Sequence, residues 1–175
     1  MSIARALLTG QVKLELIIFI GLQASGKSRF YQQQFAAIHA YVSKDLLRNN
    51  RGPARRQQQL IEEALQAGRS VVVDNTNVTL EDRAELIRLG RLYDATIIGY
   101  YFESQVSQCL ERNRERTGKA RVPDVAIFAT LKKLVHPSYQ EGFDRLFYVR
   151  LSEDGMFRIS DWIEDEISDD RRRNG

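Results

Sequence analysis

Two rhythms of apolar positions alternate along the chain. Val12–Ile20 (VKLELIIFI) is a nearly unbroken, β-branched run of the kind buried on both faces of a sheet. Ser70–Asp74 and Ala95–Phe102 repeat that pattern, and Ala40–Val42 is a shorter version of it. Leu146–Leu151 reads as a last core strand, with Met156–Ile159 a candidate partner across the turn Glu153-Asp154-Gly155. Helical patterns fill the intervals. One runs from about Lys27 to Ala37, and one from Pro53 to a stop at Gly68, with Leu60, Ile61, Ala64 and Leu65 as its apolar stripe. A third opens on Thr79 and Asp82, spaced as a capping box, and ends at Gly90. A fourth runs from a Ser104 cap to about Asn113, and a fifth from Pro123 to about Val135. Strands alternating with helices predict an α/β fold, a parallel sheet with helices on both faces.

Composition adds little to that picture and charge adds more. With 175 residues, 43% hydrophobic and 28% charged, the chain has the length and balance of one globular domain. Residues 1–152 form the expected domain, and residues 153–175 a C-terminal hairpin with an acidic-basic tail whose end, Glu164–Gly175, is expected to fray. A single cysteine, Cys109, excludes an internal disulfide framework and suits a reducing compartment. The longest apolar run, Leu16–Leu22, is far too short to span a bilayer, and Met1–Gly10 is too brief for a signal-peptide core, so a cytoplasmic location without membrane partners is expected. Net charge is +3, but residues 153–175 hold eight acids and four arginines, which leaves +7 on residues 1–152. A basic body points to an anionic ligand or a nucleic acid, and solvated surface charge is the plain alternative.

Candidate chemistry begins where the first strand ends. Gly21-Leu22-Gln23-Ala24-Ser25-Gly26-Lys27-Ser28 matches G-x-x-x-x-G-K-[ST] between a strand and a helix. Glycines in such a loop let backbone N–H groups point at a phosphate, and the helix N-terminus adds positive potential. Lys27 is placed to reach the β- and γ-phosphates of a nucleoside triphosphate and Ser28 to ligate Mg²⁺. What is done with the triphosphate depends on the rest of the chain. No Asn-Lys-x-Asp stretch reads a guanine base, which argues against a switch GTPase. The second long strand ends Asp74-Asn75-Thr76-Asn77 rather than in an acidic pair, which suits contacts to metal-bound water more than water activation. A P-loop kinase-type fold with a short basic lid is favoured.

The acceptor side is expected at the C-terminal edge of the short strand, where open α/β sheets bind ligands. Asp45 there is a candidate general base for an attacking hydroxyl, and it also stands where an ordinary helix N-cap would. Arg48 lies three residues on, on the same face, and a phosphate-bearing acceptor needs such a fork. Arg51, Arg55 and Arg56 continue the basic stretch and read equally well as solvated surface. A basic break at Arg114–Val122, hinged at Gly118, reads as a lid able to place an arginine on the transferring phosphate or as a solvated loop. Cys109, Trp162 and Tyr100–Phe102 read as core, and neither His39 nor His136 has the neighbours of a metal ligand.

Together GLQASGKS, SKDLLR, VVVDNTN followed by Arg83, the basic stretch before Val122-Pro123, and Glu141-Gly142-Phe143 resemble the kinase domain of the polynucleotide 5′-hydroxyl kinases. The resemblance spans about Leu14 to Leu151. It implies a stand-alone kinase using ATP or GTP with Mg²⁺ on a 5′-OH end of DNA or RNA, with a small-molecule kinase or a non-catalytic nucleotide-binding module as alternatives. Carried over, it implies that Gly21, Gln23, Ala24, Ser25, Gly26, Lys27 and Ser28 hold the nucleotide, with Arg116 and Lys119 or Arg121 from the lid. It implies Ser28 and, through water, Asp74 for the metal. Asp45 becomes the base, Arg48 the contact to the acceptor's adjacent phosphate, and Asn77 and Arg83 further acceptor contacts, with Lys27, Arg48 and Arg116 also counted as catalytic.

Overall fold

The computed structural model describes residues 13–163. The readings of Met1–Gly10 and of the 164–175 tail lie outside these residues. Six strands form one sheet in the order β2-β3-β1-β4-β5-β6. They are β1 (Glu15–Ile20), β2 (Ala40–Val42), β3 (Val71–Asp74), β4 (Thr96–Phe102), β5 (Arg145–Leu151) and β6 (Phe157–Asp161). The first five run parallel, and β6 pairs antiparallel with β5 in the hairpin expected of this segment. Five helices connect them, namely α1 (Lys27–Gln34), α2 (Pro53–Gln66), α3 (Leu80–Leu92), α4 (Val106–Glu115) and α5 (Asp124–Lys133).

Strand alternation divides the core between the two faces. Leu16, Ile18 and Ile20 pack with Ile61 and Leu65 of α2 and Leu86 and Leu89 of α3. Ile17 and Phe19 point the other way, into an aromatic cluster with Phe30 and Tyr31 of α1, Phe102 and Val149. A smaller cluster of Leu22, Cys109 and Ile127 holds α4 and α5 behind the first loop. Because β1 lies between β3 and β4, the chain leaves the sheet in opposite directions on either side of it, and the C-terminal end of β1 is the switch point where α/β sheets open a crevice.

Several boundaries differ from the sequence reading. Helix α1 stops at Gln34, three residues early, as Phe35 turns into the aromatic cluster. Gly90 is not a stop, since α3 continues through it to Leu92. A Cβ at Gly90 would lie 2.4 Å from Ile97 Cδ1 and 2.8 Å from Leu16 Cδ2, so the glycine lets the helix approach the sheet. Ser104 does not cap α4: the capping position is Gln105, whose side chain makes no cap bond, and the buried Ser104 hydroxyl donates to the Phe102 carbonyl. Helix α4 also runs to Glu115, which shortens the basic break. Gly68, in contrast, has φ 72° just past α2 and ends it as the pattern suggested.

Candidate active site at the end of β1

The loop between β1 and α1 is shaped by close approach. Gly21 has φ 153°, and a Cβ there would meet Phe102 Cβ at 3.0 Å. Gly26 has φ 100°, and a Cβ would meet the Phe157 ring at 3.2 Å, so β6 buttresses the loop from behind. Ala24 holds φ 61°, rare for a side-chain-bearing residue, and Arg112 Nε of α4 donates to its carbonyl at 2.8 Å. Gln23 Nε2 donates to Thr130 Oγ1 of α5 at 2.9 Å, so both lid helices grip the loop. The Gly21 amide donates to the Thr76 carbonyl at 2.9 Å, which joins the loop to the end of β3.

Lys27 is buried, and its ammonium donates to the carbonyls of Gly21 (3.0 Å) and Leu22 and to Ser25 Oγ (3.3 Å). Burial pushes this ammonium below its ordinary range, while Asp74 pulls it the other way. An incoming anion restores the balance, which is the electrostatic condition of a phosphate site. Ser28 Oγ donates to Asp74 Oδ2 at 2.6 Å, and the Tyr41 hydroxyl donates to the same oxygen at 2.7 Å. Burial and the Asp74 charge raise the Tyr41 phenol far above its usual range, so it stays a donor.

One hydroxyl and one carboxylate do not make a complete cation cage, and no group of three His, Cys, Asp or Glu side chains capable of one occurs among the described residues. Such a pair fits Mg²⁺, which binds through one or two protein oxygens and completes its shell with water and phosphate. The residues that would hold it are those the sequence suggested, Ser28 and Asp74.

A cleft of about 680 Å³ opens over the loop. Gln23, Ala24, Gly26, Lys27, Ser28 and Asp74 line its floor, whereas Gly21 and Ser25 are buried and do not line it. Its far wall is built from Lys44, Asp45 and Leu46 of the 3₁₀ turn Lys44–Leu47, followed by Arg48 and Asn49. Here Ser43 is the cap, accepting from the Asp45 amide, so the Asp45 carboxylate is free of that task and faces the cleft with 77% of its side chain exposed. Arg48 Nη2 donates to Asp45 Oδ1 at 2.7 Å, and its Nη1 to the Lys119 carbonyl at 3.1 Å, linking the acceptor wall to the lid. Asn75 braces the turn from β3: its Oδ1 accepts from the Lys44 amide at 2.9 Å and its Nδ2 donates to Gln57 Oε1 of α2 at 2.8 Å. Arg51 and Arg55 are exposed and Arg56 half-buried, all three outside the cleft wall, and Arg56 is turned to Glu63.

The lid supplies Arg116, Lys119, Ala120 and Val122 to the wall. Arg121 is exposed and does not line it, which leaves Lys119 as the second lid cation. Buried Asn113 anchors the base of the lid by clasping the Val122 backbone, donating to its carbonyl at 2.7 Å and accepting from its amide at 3.1 Å.

Two expected acceptor contacts have other work. Arg83 is fully buried, and all of its bonds turn inward. It forks onto Glu141 (2.6 and 2.8 Å) and donates to the carbonyls of Asn77 (3.1 Å) and Val135 (3.0 Å). It therefore secures the turn after β3 and does not line the cleft. Asn77 does line the cleft, but it sits at φ 45° and its amide donates to the Phe19 carbonyl at 2.8 Å, tying that turn to β1. The sequence reading missed Tyr41 and Gln57 as parts of the site, and it gave Asn75 and Arg112 no individual role. Asn75 lies inside the D-N-T-N stretch and Arg112 opens the basic run that ends at Arg121, so both carried a local signal, whereas Tyr41 and Gln57 carried none. Cys109 is core, as expected, with its thiol pushed up by burial.

A family model described as an AAA domain matches residues 16–137. Among curated proteins, the transcription factor bHLH140 of Arabidopsis thaliana is 25% identical over 79% of this chain and 16% of its own length. The bifunctional polynucleotide phosphatase/kinase of Schizosaccharomyces pombe is 26% identical over 74% of this chain and 32% of its own, and a putative counterpart from Acanthamoeba polyphaga mimivirus is 29% identical over 77% and 32%. The chain thus spans about a sixth to a third of the length of these relatives. Among solved structures, Chaetomium thermophilum Kti12 in complex with ADP-AlF3 superposes with a TM-score of 0.63 at 16% identity, over 80% of this chain and 92% of that one. A gluconokinase from Sinorhizobium meliloti gives 0.57 at 20%, over 79% and 83%. The match covers the phosphate loop, the Asp45 turn and the lid alike, and by it the chain belongs to the AAA-domain family and folds as a P-loop kinase domain.

Proposed function

We propose that the chain is a kinase that moves the γ-phosphate of ATP or GTP, with Mg²⁺, to the 5′-hydroxyl end of DNA or RNA. The observation that carries this reading is the Asp45–Arg48 fork, a carboxylate and a guanidinium 2.7 Å apart on the cleft wall opposite Lys27 and Ser28. Arg48 engages Asp45 through Oδ1, which leaves Oδ2 to accept the proton of the incoming hydroxyl. As that oxygen bonds to the γ-phosphorus, the bond from phosphorus to the β,γ-bridging oxygen breaks and the nucleoside diphosphate leaves. Lys27 exchanges the loop carbonyls for phosphate oxygens, and Arg116 with Lys119 meets the charge spreading over the transferred group. Arg48 has a second face for the phosphate next to the acceptor's terminal sugar. Bound Mg²⁺ supplies charge neutralisation at the phosphates, held from the protein side by Ser28 and Asp74.

The kinase names among the curated relatives support this acceptor class. A second reading, a small polar acceptor, is favoured by a cleft wall in which no aromatic side chain on which a base could stack occurs among the described residues. Incubation with γ-labelled ATP or GTP, Mg²⁺ and 5′-OH oligonucleotides tests the choice. Label on the 5′ end, with affinity falling steeply as salt rises, is the expected result. Label on neither DNA nor RNA ends, from folded protein that binds nucleotide, overturns the acceptor assignment.

A further inference from the structure

We propose that Tyr41 is a positioning residue for the cation that accompanies the nucleotide. It acts through Asp74, which lines the cleft, sharing Oδ2 with Ser28 so that Oδ1 is left for cation-bound water. This rests on the Mg²⁺-nucleotide part of the reading above and is independent of the acceptor.

Asp74 is buried at the end of β3, and two hydroxyls converge on one of its oxygens, Ser28 from α1 at 2.6 Å and Tyr41 from β2 at 2.7 Å. No hydrogen bond from a described residue reaches the other oxygen. Ser28 can keep its hydrogen on Asp74 while offering a lone pair to a cation, so the cluster stays assembled when the site fills. A carboxylate held by Ser28 alone has one donor that the cation also contends for. Tyr41 supplies a second donor that contributes nothing to the cation directly, which is the role of outer partners that hold a metal site's carboxylates in place. Its ring is itself fixed, packed on Tyr31 at 4.4 Å between centroids, and the Tyr31 hydroxyl donates to the His39 carbonyl at 2.9 Å. Tyr41→Phe keeps that packing and deletes only the donor.

Calorimetric titration of the full chain with ATP, in Mg²⁺ and separately in EDTA, reads the effect. In wild type, Mg²⁺ should tighten binding, and Ser28→Ala should remove most of that gain. Tyr41→Phe should reduce the gain tenfold or more, with affinity in EDTA within twofold of wild type and the melting temperature little changed. An undiminished Mg²⁺ gain in Tyr41→Phe overturns the proposal, and so does an equal weakening with and without Mg²⁺, which would mark a merely structural role. If wild type itself shows no Mg²⁺ gain, the cation assignment and this proposal fall together. Failure of label transfer to oligonucleotides alone leaves it standing.

Discussion

Replacing Arg83 with methionine separates an acceptor-binding arginine from a structural one. The side chain is 0% exposed and Glu141, its partner, 12%. Truncation leaves a largely enclosed carboxylate without its counter-charge and two backbone carbonyls, of Asn77 and Val135, without the Arg83 donor. Breaking a buried ion pair from one side costs about 3–5 kcal/mol. For a chain of this size each kcal/mol moves the melting temperature by about 2–4 °C, so Arg83→Met should lower it by roughly 10–15 °C in scanning calorimetry. Removing both charges, Arg83→Met with Glu141→Met, should recover about half of that loss, because a buried pair replaced by apolar groups is often near neutral. Recovery stays incomplete since Glu141 also accepts from the Ser138 amide in a capping box. An arginine that met solvent and acceptor would change stability by no more than about 0.5 kcal/mol. Arg83→Met melting within about 2 °C of wild type, while losing the salt-dependent share of oligonucleotide binding that one phosphate contact provides, would refute the structural assignment.

Three further outcomes are expected. Asp45→Ala should leave ATP affinity unchanged by titration and lower phosphate transfer by about 10²–10⁴-fold; equal loss of both would mean the carboxylate serves the nucleotide. Gly90→Ala gains about 1 kcal/mol of helix propensity but forces a Cβ into Ile97 and Leu16, and overpacking of about 1–3 kcal/mol should leave the protein less stable in urea unfolding. Arg91 and the Ile97 amide hold the Asp144 carboxyl below its ordinary value. Because its folded value is lowered, the stability it contributes is present above about pH 4 and lost as pH falls through the folded value. Asp144→Asn should therefore melt below wild type at pH 7, and the gap should close in acid.

What the chain reveals locally and what it hides divide along one physical line. The strand-loop-helix at Leu16–Gln34 was legible because its signals are local: an apolar run, two glycines where the backbone needs them, and a lysine and serine opening a helix. The Asp45-to-Arg48 spacing was legible for the same reason, since three residues place both groups on one side of a turn. The expectation of helices on both faces likewise followed from alternating periods. Periodicity states which face of an element is buried and is silent on its partner. Strand order was therefore decided only in three dimensions, by which β-branched surfaces lie side by side, and it brought Asp74 to Ser28 across 46 residues and to Tyr41 across 33. Whether Arg83 faces a ligand or the interior depends on Glu141, 58 residues away, arriving to neutralise it. A charge's burial is set by its partners in space, and no window of sequence contains them.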